Sequence, residues 1–169
     1  VGGEAMLGVA VLYTARGVGT GVGPFIARWL SKEEPVRMEQ LIGAGFMCGA
    51  VFYLFLPLAP NIVTAAAVIL LAHIGGATVW VFSTVRLQQI TPESVRGRVF
   101  ATENAAFMVA MTASTFVWGE VIDLEIIGLQ TIAGGLGLIL LVPAALWWLR
   151  GHRLGWADRS GADAPTTTP

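Results

Sequence analysis

Two ionisable side chains lie at the middle of long apolar segments of this sequence. Arg16 is at the midpoint of residues 5–27, and His73 is at the midpoint of residues 61–85. If such segments cross a membrane, an ionisable residue at the centre is costly and usually belongs to a solute or proton pathway. We therefore predict that Arg16 serves a substrate cavity or coupling, and that His73 handles a proton or substrate. A structural hydrogen-bonding role is the alternative for both, and it is the commoner role of a histidine on an apolar helix.

Polar side chains at helical spacing extend these two positions into stripes. Residues three and four apart share one face of a helix, as Tyr13, Arg16 and Thr20 do. The second stripe contains His73, Gly76, Trp80 and Thr84, and the third contains Asn104, Met108, Met111, Thr112 and Thr115. The second and fifth apolar segments carry few polar residues and are predicted to be lipid-facing support. We expect a substrate cavity lined by the first, third and fourth segments, in which the methionines form an adaptable wall or fill the core.

The sequence offers no constellation for catalysis or metal binding. Its two histidines, His73 and His152, have no Ser, Cys or acidic neighbour at the spacing of a catalytic triad, and Cys48 is the single cysteine. The glycine-rich residues 17–23 fit neither the G-x-G-x-x-G fingerprint nor a phosphate loop that ends in Gly-Lys-Ser/Thr. We predict no enzymatic activity, no cofactor and no metal site, and an intramembrane enzyme is the least favoured alternative.

The same glycines form two overlapping small-xxx-small pairs, Gly17 with Gly21 and Gly19 with Gly23. Small residues four positions apart let the backbone of a neighbouring transmembrane helix approach closely. We predict that these glycines pack against another helix. The alternative is a surface that slides or gates against a moving partner helix.

The composition assigns the chain to the integral membrane proteins. Of its 169 residues, 55% are hydrophobic and 12% are charged, whereas a soluble domain usually carries about 25% charged residues. The net charge is −1 and the basic residues fall in small groups, so no basic surface for nucleic acid is expected. The predicted fold is an all-α polytopic membrane helix bundle, whose first partner is the lipid bilayer.

Five apolar segments are long enough to cross a bilayer, which requires about 20 residues. They are residues 5–27, 41–58, 61–85, 99–119 and 126–149. Pro57, Pro60 and Asn61 separate the second segment from the third, since proline removes a backbone donor and disfavours helix in the residue before it. Residues 1–150 are therefore predicted to form a transmembrane bundle. Residues 151–169 have few apolar side chains and are predicted to be a disordered cytoplasmic tail.

The positive charges predict the orientation of these spans. The Lys and Arg residues of short loops remain on the cytoplasmic side of a membrane. Nine of the ten basic residues fall between spans one and two, between spans three and four, or after span five: Arg28, Lys32, Arg37, Arg86, Arg96, Arg98, Arg150, Arg153 and Arg159. We predict a multi-pass protein of the cell membrane, plasma or inner, whose carboxy terminus is cytoplasmic.

The loop before the fourth span contains a specific order of residues. A solvated loop on the cytoplasmic side would explain its positive charges, but not this order. Residues 91–99 are Thr-Pro-Glu-Ser-Val-Arg-Gly-Arg-Val. Thr91 is predicted to cap a helix that begins at Pro92, with Glu93 favourably placed in the first turn. The motif that we single out consists of Pro92, Glu93, Arg96, Gly97 and Arg98.

This motif resembles the sequence Pro-x-x-x-Arg-Gly-Arg-Val that commonly follows the tenth helix in the major facilitator superfamily. Residues 12–24, Leu-Tyr-Thr-Ala-Arg-Gly-Val-Gly-Thr-Gly-Val-Gly-Pro, are similar to the eighth helix of drug and siderophore exporters in that superfamily. The resemblance covers roughly residues 5–150 and implies helices eight to twelve of a twelve-helix transporter, its carboxy-terminal half. Such transporters have two six-helix halves that rock around a substrate site near the midplane. The resemblance implies efflux of a small drug-like or siderophore-like molecule, with the amino-terminal helices of the same protein as further partners.

The loop after the first span departs from the superfamily. Residues 28–34, Arg-Trp-Leu-Ser-Lys-Glu-Glu, lack the acidic member of its Gly-x-x-x-Asp-x-x-Gly-Arg pattern, so no gating salt bridge is transferred there. We predict instead that Glu93 pairs with Arg96 or Arg98 as a cytoplasmic latch. The alternative function is a membrane subunit that moves no solute and packs its glycine faces against partner helices.

Overall fold

The computed structural model describes residues 2–32, 34–124 and 127–153. Five helices account for most of them: α1 (Gly2–Ser31), α2 (Pro35–Phe55), α3 (Ile62–Ile90), α4 (Glu93–Asp123) and α5 (Leu129–Arg153), with a 3-10 turn at Leu56–Leu58. The described residues contain no strand. All five helices are long and apolar enough to cross a membrane. The predicted all-α membrane helix bundle is therefore confirmed.

The helices are longer than the apolar segments from which they were predicted. Helix α2 begins at Pro35 and α3 continues to Ile90, because the polar turns at a helix end need no hydrocarbon around them. Helix α5 runs to Arg153 and so includes the first residues of the predicted tail. Residues 154–169 of that tail lie outside the described residues.

The connection between α2 and α3 follows the proline and asparagine signals of the sequence. After the 3-10 turn, Asn61 caps α3, because its side-chain oxygen accepts a hydrogen bond from the backbone N–H of Thr64 at 3.0 Å. The backbone N–H of Asn61 in turn donates to the Thr64 hydroxyl at 3.3 Å. This reciprocal pair is a capping box, which satisfies two backbone donors that a helix start would otherwise leave free.

The connection between α3 and α4 differs from its prediction. The Thr91 hydroxyl donates to the carbonyl of Leu87 at 2.6 Å and so completes the end of α3. Helix α4 begins at Glu93, and its N-cap is Pro92, which provides no side-chain hydrogen bond. The prediction that Thr91 caps α4 is wrong, because the hydroxyl is already used by the preceding helix.

Helix α3 lies at the centre of the packing. Helices α1 and α2 both pack against it, and α5 packs against α2. Ala27, Met38, Ile42 and Phe82 form the buried core where α1, α2 and α3 meet, and Trp147 of α5 packs against it. This core lies at the end of the bundle that carries the loops after α1 and α3 and the last turn of α5, which we call the basic end.

Glycines set the distance between α3 and its two neighbours. A Cβ on Gly19 or Gly23 of α1 would collide with the backbone oxygens of Leu70 and Ile74, respectively. On the other side of α3, a Cβ on Gly45 of α2 would lie 2.6 Å from the Gly75 oxygen. Real Cβ atoms do not approach backbone so closely, so these contacts require glycine.

Helix α4 stands apart from the other four. None of its 31 residues is buried. It meets α3 through the rings of Trp80 and Phe107, whose centroids are 4.8 Å apart. Large apolar side chains such as Val109 and Phe116 are 70% and 69% exposed. In the described part of the chain, α4 therefore has most of its surface uncovered.

Candidate functional site

Arg16 and Tyr13 lie together on α1. The guanidinium carbon of Arg16 is 5.9 Å from the centroid of the Tyr13 ring, a cation–π distance. Both side chains and Thr20, one turn further along, are exposed. Arg16, Tyr13 and Thr20 thus form an exposed polar face at the middle of α1.

His73 is held by its own helix. Its Nδ1 lies 2.9 Å from the backbone oxygen of Ile69, one turn earlier. Its ring is 6.2 Å from the ring of Tyr53, at an angle of 59°. Together with Gly76 and Leu140, these rings line an apolar crevice of about 220 Å³ between α2, α3 and α5. The Nδ1 contact matches the structural alternative for His73, and a role in proton or substrate handling stays a prediction.

Tyr53 was missed by the sequence analysis, which treated α2 as lipid-facing support. The available signal was that Tyr53 is one of only two tyrosines in the chain. Its position on a largely apolar helix concealed its partner, because His73 comes from α3. A polar aromatic group inside a membrane span usually finds a polar neighbour.

A second crevice, of about 290 Å³, lies between α3 and α4. Trp80 and Asn104, both predicted cavity residues, line it together. Thr84, Phe100 and Glu103 complete the lining, and the Phe107 ring lies against the Trp80 ring, tilted by 57°. The sequence analysis placed Glu103 inside the fourth span without giving it a role, and the signal was the carboxylate itself within an apolar segment.

The remaining predicted cavity residues lie further along α4. Met108 is 48% exposed, and Thr112 is exposed one turn beyond it. The described neighbours of α4 do not cover either side chain. Their place in a substrate cavity therefore stays a prediction.

The two predicted glycine pairs have different environments. Gly19 and Gly23 contact the backbone of α3, as the close-approach argument requires, whereas Gly17 and Gly21 would have nothing within 4 Å of an added Cβ. The described helices therefore use one of the two pairs, and the other lies on the open side of α1.

An ion pair joins α2 and α3 at the basic end. Arg86 donates to the Glu39 carboxylate at 2.7 Å, and the two side chains are 22% and 15% exposed. A second Arg86 nitrogen donates to the Gln89 amide oxygen at 2.8 Å. Trp147 of α5 donates its indole N–H to the Glu39 backbone oxygen at 2.7 Å, and the Arg150 guanidinium lies 5.4 Å from the Trp147 ring. Three helices are thus tied together at this end.

The loop motif at the start of α4 makes fewer contacts than predicted. Within the part of the chain that the structure describes, Glu93 forms no ion pair with Arg96 or Arg98. Arg96 instead donates to the backbone oxygen of Thr91 at 3.3 Å. Pro92, Gly97 and Arg98 are exposed. The predicted latch is absent among the described residues, and an ion pair between α2 and α3 joins helices at this end instead.

Comparison with known proteins assigns the chain to a family. A family model described as "Transmembrane secretion effector", of the major facilitator superfamily, matches residues 1–155. No curated protein and no solved structure matches the chain. The matched region covers all five helices, and this family consists of transporters rather than enzymes. The chain belongs to the transmembrane secretion effector family of the major facilitator superfamily.

Proposed function

We propose that this chain is the carboxy-terminal half of a secondary transporter that exports a drug-like or siderophore-like small molecule by alternating access. Its helices α1 to α5 correspond to helices eight to twelve of the twelve-helix fold. Helices α1, α3 and α4 line the substrate cavity, and α2 and α5 support them. The family assignment supports transport. The exposed polar face of α1 and the crevice of Trp80 and Asn104 between α3 and α4 support the assignment of these three helices to the cavity.

The observation that carries the proposal is the polar cluster around Arg16. An arginine at the middle of a membrane span is retained where it faces protein or a water-filled path. Arg16 is exposed on α1, and its guanidinium lies 5.9 Å from the Tyr13 ring. Such a group can hold an anionic part of a substrate or respond to a coupling proton. Trp80 and Asn104 extend the same wall towards α4, and Met108 and Thr112 continue it.

We also propose that further helices of the same protein cover α1 and α4. An isolated α4 would expose Asn104 and Thr112 to lipid, where unsatisfied polar groups are unfavourable. Helices from an amino-terminal half would cover these groups and close the cavity. The native protein then contains about seven further hydrophobic segments before residue 1, since this fold has twelve helices in two halves. The intact mass of the native protein tests this directly.

The proposed location is the cell membrane, with the basic end on the cytoplasmic side. Arg28, Arg86, Arg96 and Arg150 all lie at this end, and basic residues of short loops stay in the cytoplasm. Trp147 and Trp148 lie just before Arg150, where aromatic rings favour the headgroup region. Accessibility labelling of single cysteines placed at the two ends of the bundle would test the orientation.

The decisive experiment is transport by the variant Arg16→Ala. Thr14→Val is its matched control, because Thr14 lies on the opposite side of α1 and its hydroxyl donates to the Ala10 backbone oxygen at 2.8 Å. Cells that express each variant are loaded with ethidium or with a catecholate siderophore, and efflux is compared at equal membrane abundance. We expect Arg16→Ala to lose export and Thr14→Val to retain it. Export by Arg16→Ala at the wild-type rate would reject the proposed role of this residue.

The alternative function is a membrane subunit that binds partner helices and moves no solute. The open faces of Gly17 and Gly21 favour it, since they offer a surface for a further helix. This function predicts a native chain that begins near residue 1 and copurifies with other membrane proteins. It also predicts that no variant of this chain changes the efflux of either probe.

A further inference from the structure

A gap between α3 and α5 runs over the surface of α2. Both helices pack against α2, and at the basic end the gap between them widens into a crevice of about 260 Å³. Three ionisable residues line this crevice, one from each helix: Glu39, Arg86 and Arg150. Ile42 and the Trp147 ring provide apolar lining beside them. The proposed function gives this crevice no role.

The charges of the crevice do not cancel. Arg86 is paired with Glu39 at 2.7 Å, so these two residues neutralise each other. Across residues 2–32, 34–124 and 127–153, Arg150 has no ion-pair partner, and its guanidinium carbon lies 5.4 Å from the centroid of the Trp147 ring. The crevice therefore holds one uncompensated positive charge. An arginine has five N–H donors in a planar fork that fits a phosphate group.

The same gap continues as an apolar groove towards the middle of the bundle. There it forms the crevice of about 220 Å³, whose apolar lining includes Phe46, Gly49, Val79 and Leu140. The α2 residues Ile42, Phe46, Gly49 and Tyr53 are spaced by three or four positions, so they lie on one face of the helix. Ile42 and Tyr53 are eleven positions apart, which is about 16 Å of helix. This length matches one leaflet, about half of a hydrocarbon core of about 30 Å.

A charged mouth above an apolar groove matches the two parts of a phospholipid. The aromatic rings of tryptophan favour the headgroup region of a membrane, and Trp147 lies beside Arg150 at the mouth. Basic pockets between transmembrane helices bind the headgroups of anionic lipids. A soluble phosphate compound would use the charge of Arg150 but leave the apolar groove unfilled. The combination of charge and groove therefore favours a lipid.

We propose that the gap between α3 and α5 binds one anionic phospholipid, with its phosphate group at Arg150 and one acyl chain along the apolar face of α2. This inference goes beyond the proposed transport function and does not rest on it. The competing occupants are a soluble phosphate compound and another helix of the same protein. The experiment below separates all three.

The test titrates the purified full-length protein in detergent with dioleoyl phosphatidylglycerol and counts bound lipids by native mass spectrometry. Dioleoyl phosphatidylcholine has the same chains and no net charge, and we expect it to bind more weakly. Arg150→Gln should lower the affinity for phosphatidylglycerol by about tenfold, equivalent to about 1.4 kcal/mol, and leave phosphatidylcholine unaffected. Arg153→Gln is the matched control, because it removes the same charge from the last turn of α5 but Arg153 does not line the crevice.

A second variant tests the groove for the acyl chain. Gly76 lines the apolar part of the gap, and a Cβ added there would meet nothing within 4 Å. Gly76→Leu therefore fills the groove without a collision with backbone, and it should lower the affinity for both lipids severalfold. Gly135→Leu is the control, since Gly135 of α5 is equally open and lines neither crevice. Inorganic phosphate in excess should not displace phosphatidylglycerol.

Each other outcome overturns the inference. Equal wild-type affinities for the two lipids, or unchanged phosphatidylglycerol affinity in Arg150→Gln, would show that Arg150 holds no headgroup. Displacement by inorganic phosphate would assign the crevice to a soluble phosphate compound. Failure of the full-length protein to bind either lipid would assign the gap to another helix of the same protein. Gel filtration establishes that each variant is folded, and Arg150→Lys, which keeps the charge and part of the affinity, replaces Arg150→Gln in a comparison with Arg153→Lys if the Gln variant is not.

Failure of this inference can be distinguished from failure of the proposed function. Lipid binding is measured without transport, and the efflux comparison of Arg16→Ala with Thr14→Val is made without added lipid. A null lipid result therefore rejects the lipid site alone. Loss of phosphatidylglycerol binding in Arg150→Gln, in a protein that exports neither ethidium nor a siderophore, would support the lipid site and reject the transport function.

Discussion

Replacing each glycine of the two pairs on α1 by alanine tests how α1 is held against α3. Gly19 and Gly23 face the α3 backbone, whereas Gly17 and Gly21 face open space. All four substitutions add the same methyl group to the same helix. At Gly17, Gly19 and Gly21 the substitution raises helix propensity equally, since alanine is favoured over glycine in a helix interior by about 0.5–1 kcal/mol. At Gly23 that gain is absent, because the Cβ of a residue that precedes a proline is disfavoured in a helix and Pro24 follows. A difference between Gly19→Ala and either Gly17→Ala or Gly21→Ala therefore reports packing alone.

The expected magnitude follows from the contact at Gly23. An added Cβ would lie 2.6 Å from the Ile74 backbone oxygen, and ordinary contact begins at 3.4 Å, so α1 must move by about 0.8 Å. Overpacking of this kind typically costs about 1–3 kcal/mol. Because Pro24 follows and no helix-propensity gain offsets this cost, Gly23→Ala should lower the free energy of unfolding by about 1–3 kcal/mol. Gly21→Ala should leave it unchanged or raise it by about 0.5–1 kcal/mol.

The assay is thermal unfolding of the purified full-length protein in detergent, monitored by the fraction that remains monodisperse after heating. A change of 1 kcal/mol shifts the midpoint by about 2–4 °C for a protein of 150–250 residues and by less for a longer chain. Gly19→Ala and Gly23→Ala should therefore unfold several degrees below Gly17→Ala and Gly21→Ala. If Gly19→Ala and Gly23→Ala leave the midpoint at or above the wild-type value, the assigned α1–α3 interface is wrong. A lower midpoint for Gly17→Ala and Gly21→Ala as well would indicate a further helix on that face.

Three further predictions concern the contacts that join the helices. Glu39→Gln breaks the ion pair with Arg86, whose side chain is 22% exposed, and should destabilise the protein by about 1–3 kcal/mol. Glu34→Gln is its control, because the pair of Glu34 with Arg37 is exposed and its loss should cost less than about 1 kcal/mol. Trp147→Phe removes the indole hydrogen bond and should cost about 0.5–1.5 kcal/mol. Asn61→Ala removes the cap of α3 and should cost about 1 kcal/mol. The same thermal assay measures all three, and no change in the unfolding midpoint in any of them would contradict the corresponding contact.

The features that the sequence predicted well depend on short stretches of chain. Hydropathy and charge are local properties, so the five helices and the basic end follow from them without knowledge of the neighbours. The turn before α3 is also local, because Asn61 and Thr64 complete a capping box within one turn. Thr91 shows the limit of such signals. A hydroxyl between two helices can serve either one, and nothing in the nearby sequence shows that it bonds to Leu87.

The features that the sequence did not predict depend on how each helix is rotated about its axis. Glu93 and Arg96 are close in the sequence and were predicted to form an ion pair. The structure instead has an ion pair between helices, which joins Glu39 to Arg86, 47 residues away. Glu103 and Asn104 are adjacent in the sequence, and both turn out to line the crevice beside Trp80. Periodicity identifies which residues share a face. It does not identify the helix that the face meets, because that choice is set by packing across the whole bundle.

The two flanks of α3 are held by different physical means, and this difference bears on how the proposed cavity would work. On one flank, Gly19 and Gly23 bring α1 so close to the α3 backbone that an added Cβ at either position would collide with it. On the other, α4 meets α3 through one aromatic pair, and such pairs contribute only about 0.5–1.5 kcal/mol beyond their buried area. Under the proposed function, the helices that cover α4 therefore set the width of the crevice that contains Glu103. A movement of those helices would change the crevice without disturbing the α1–α3 contact, which is the behaviour required of one movable wall in a cavity of alternating access.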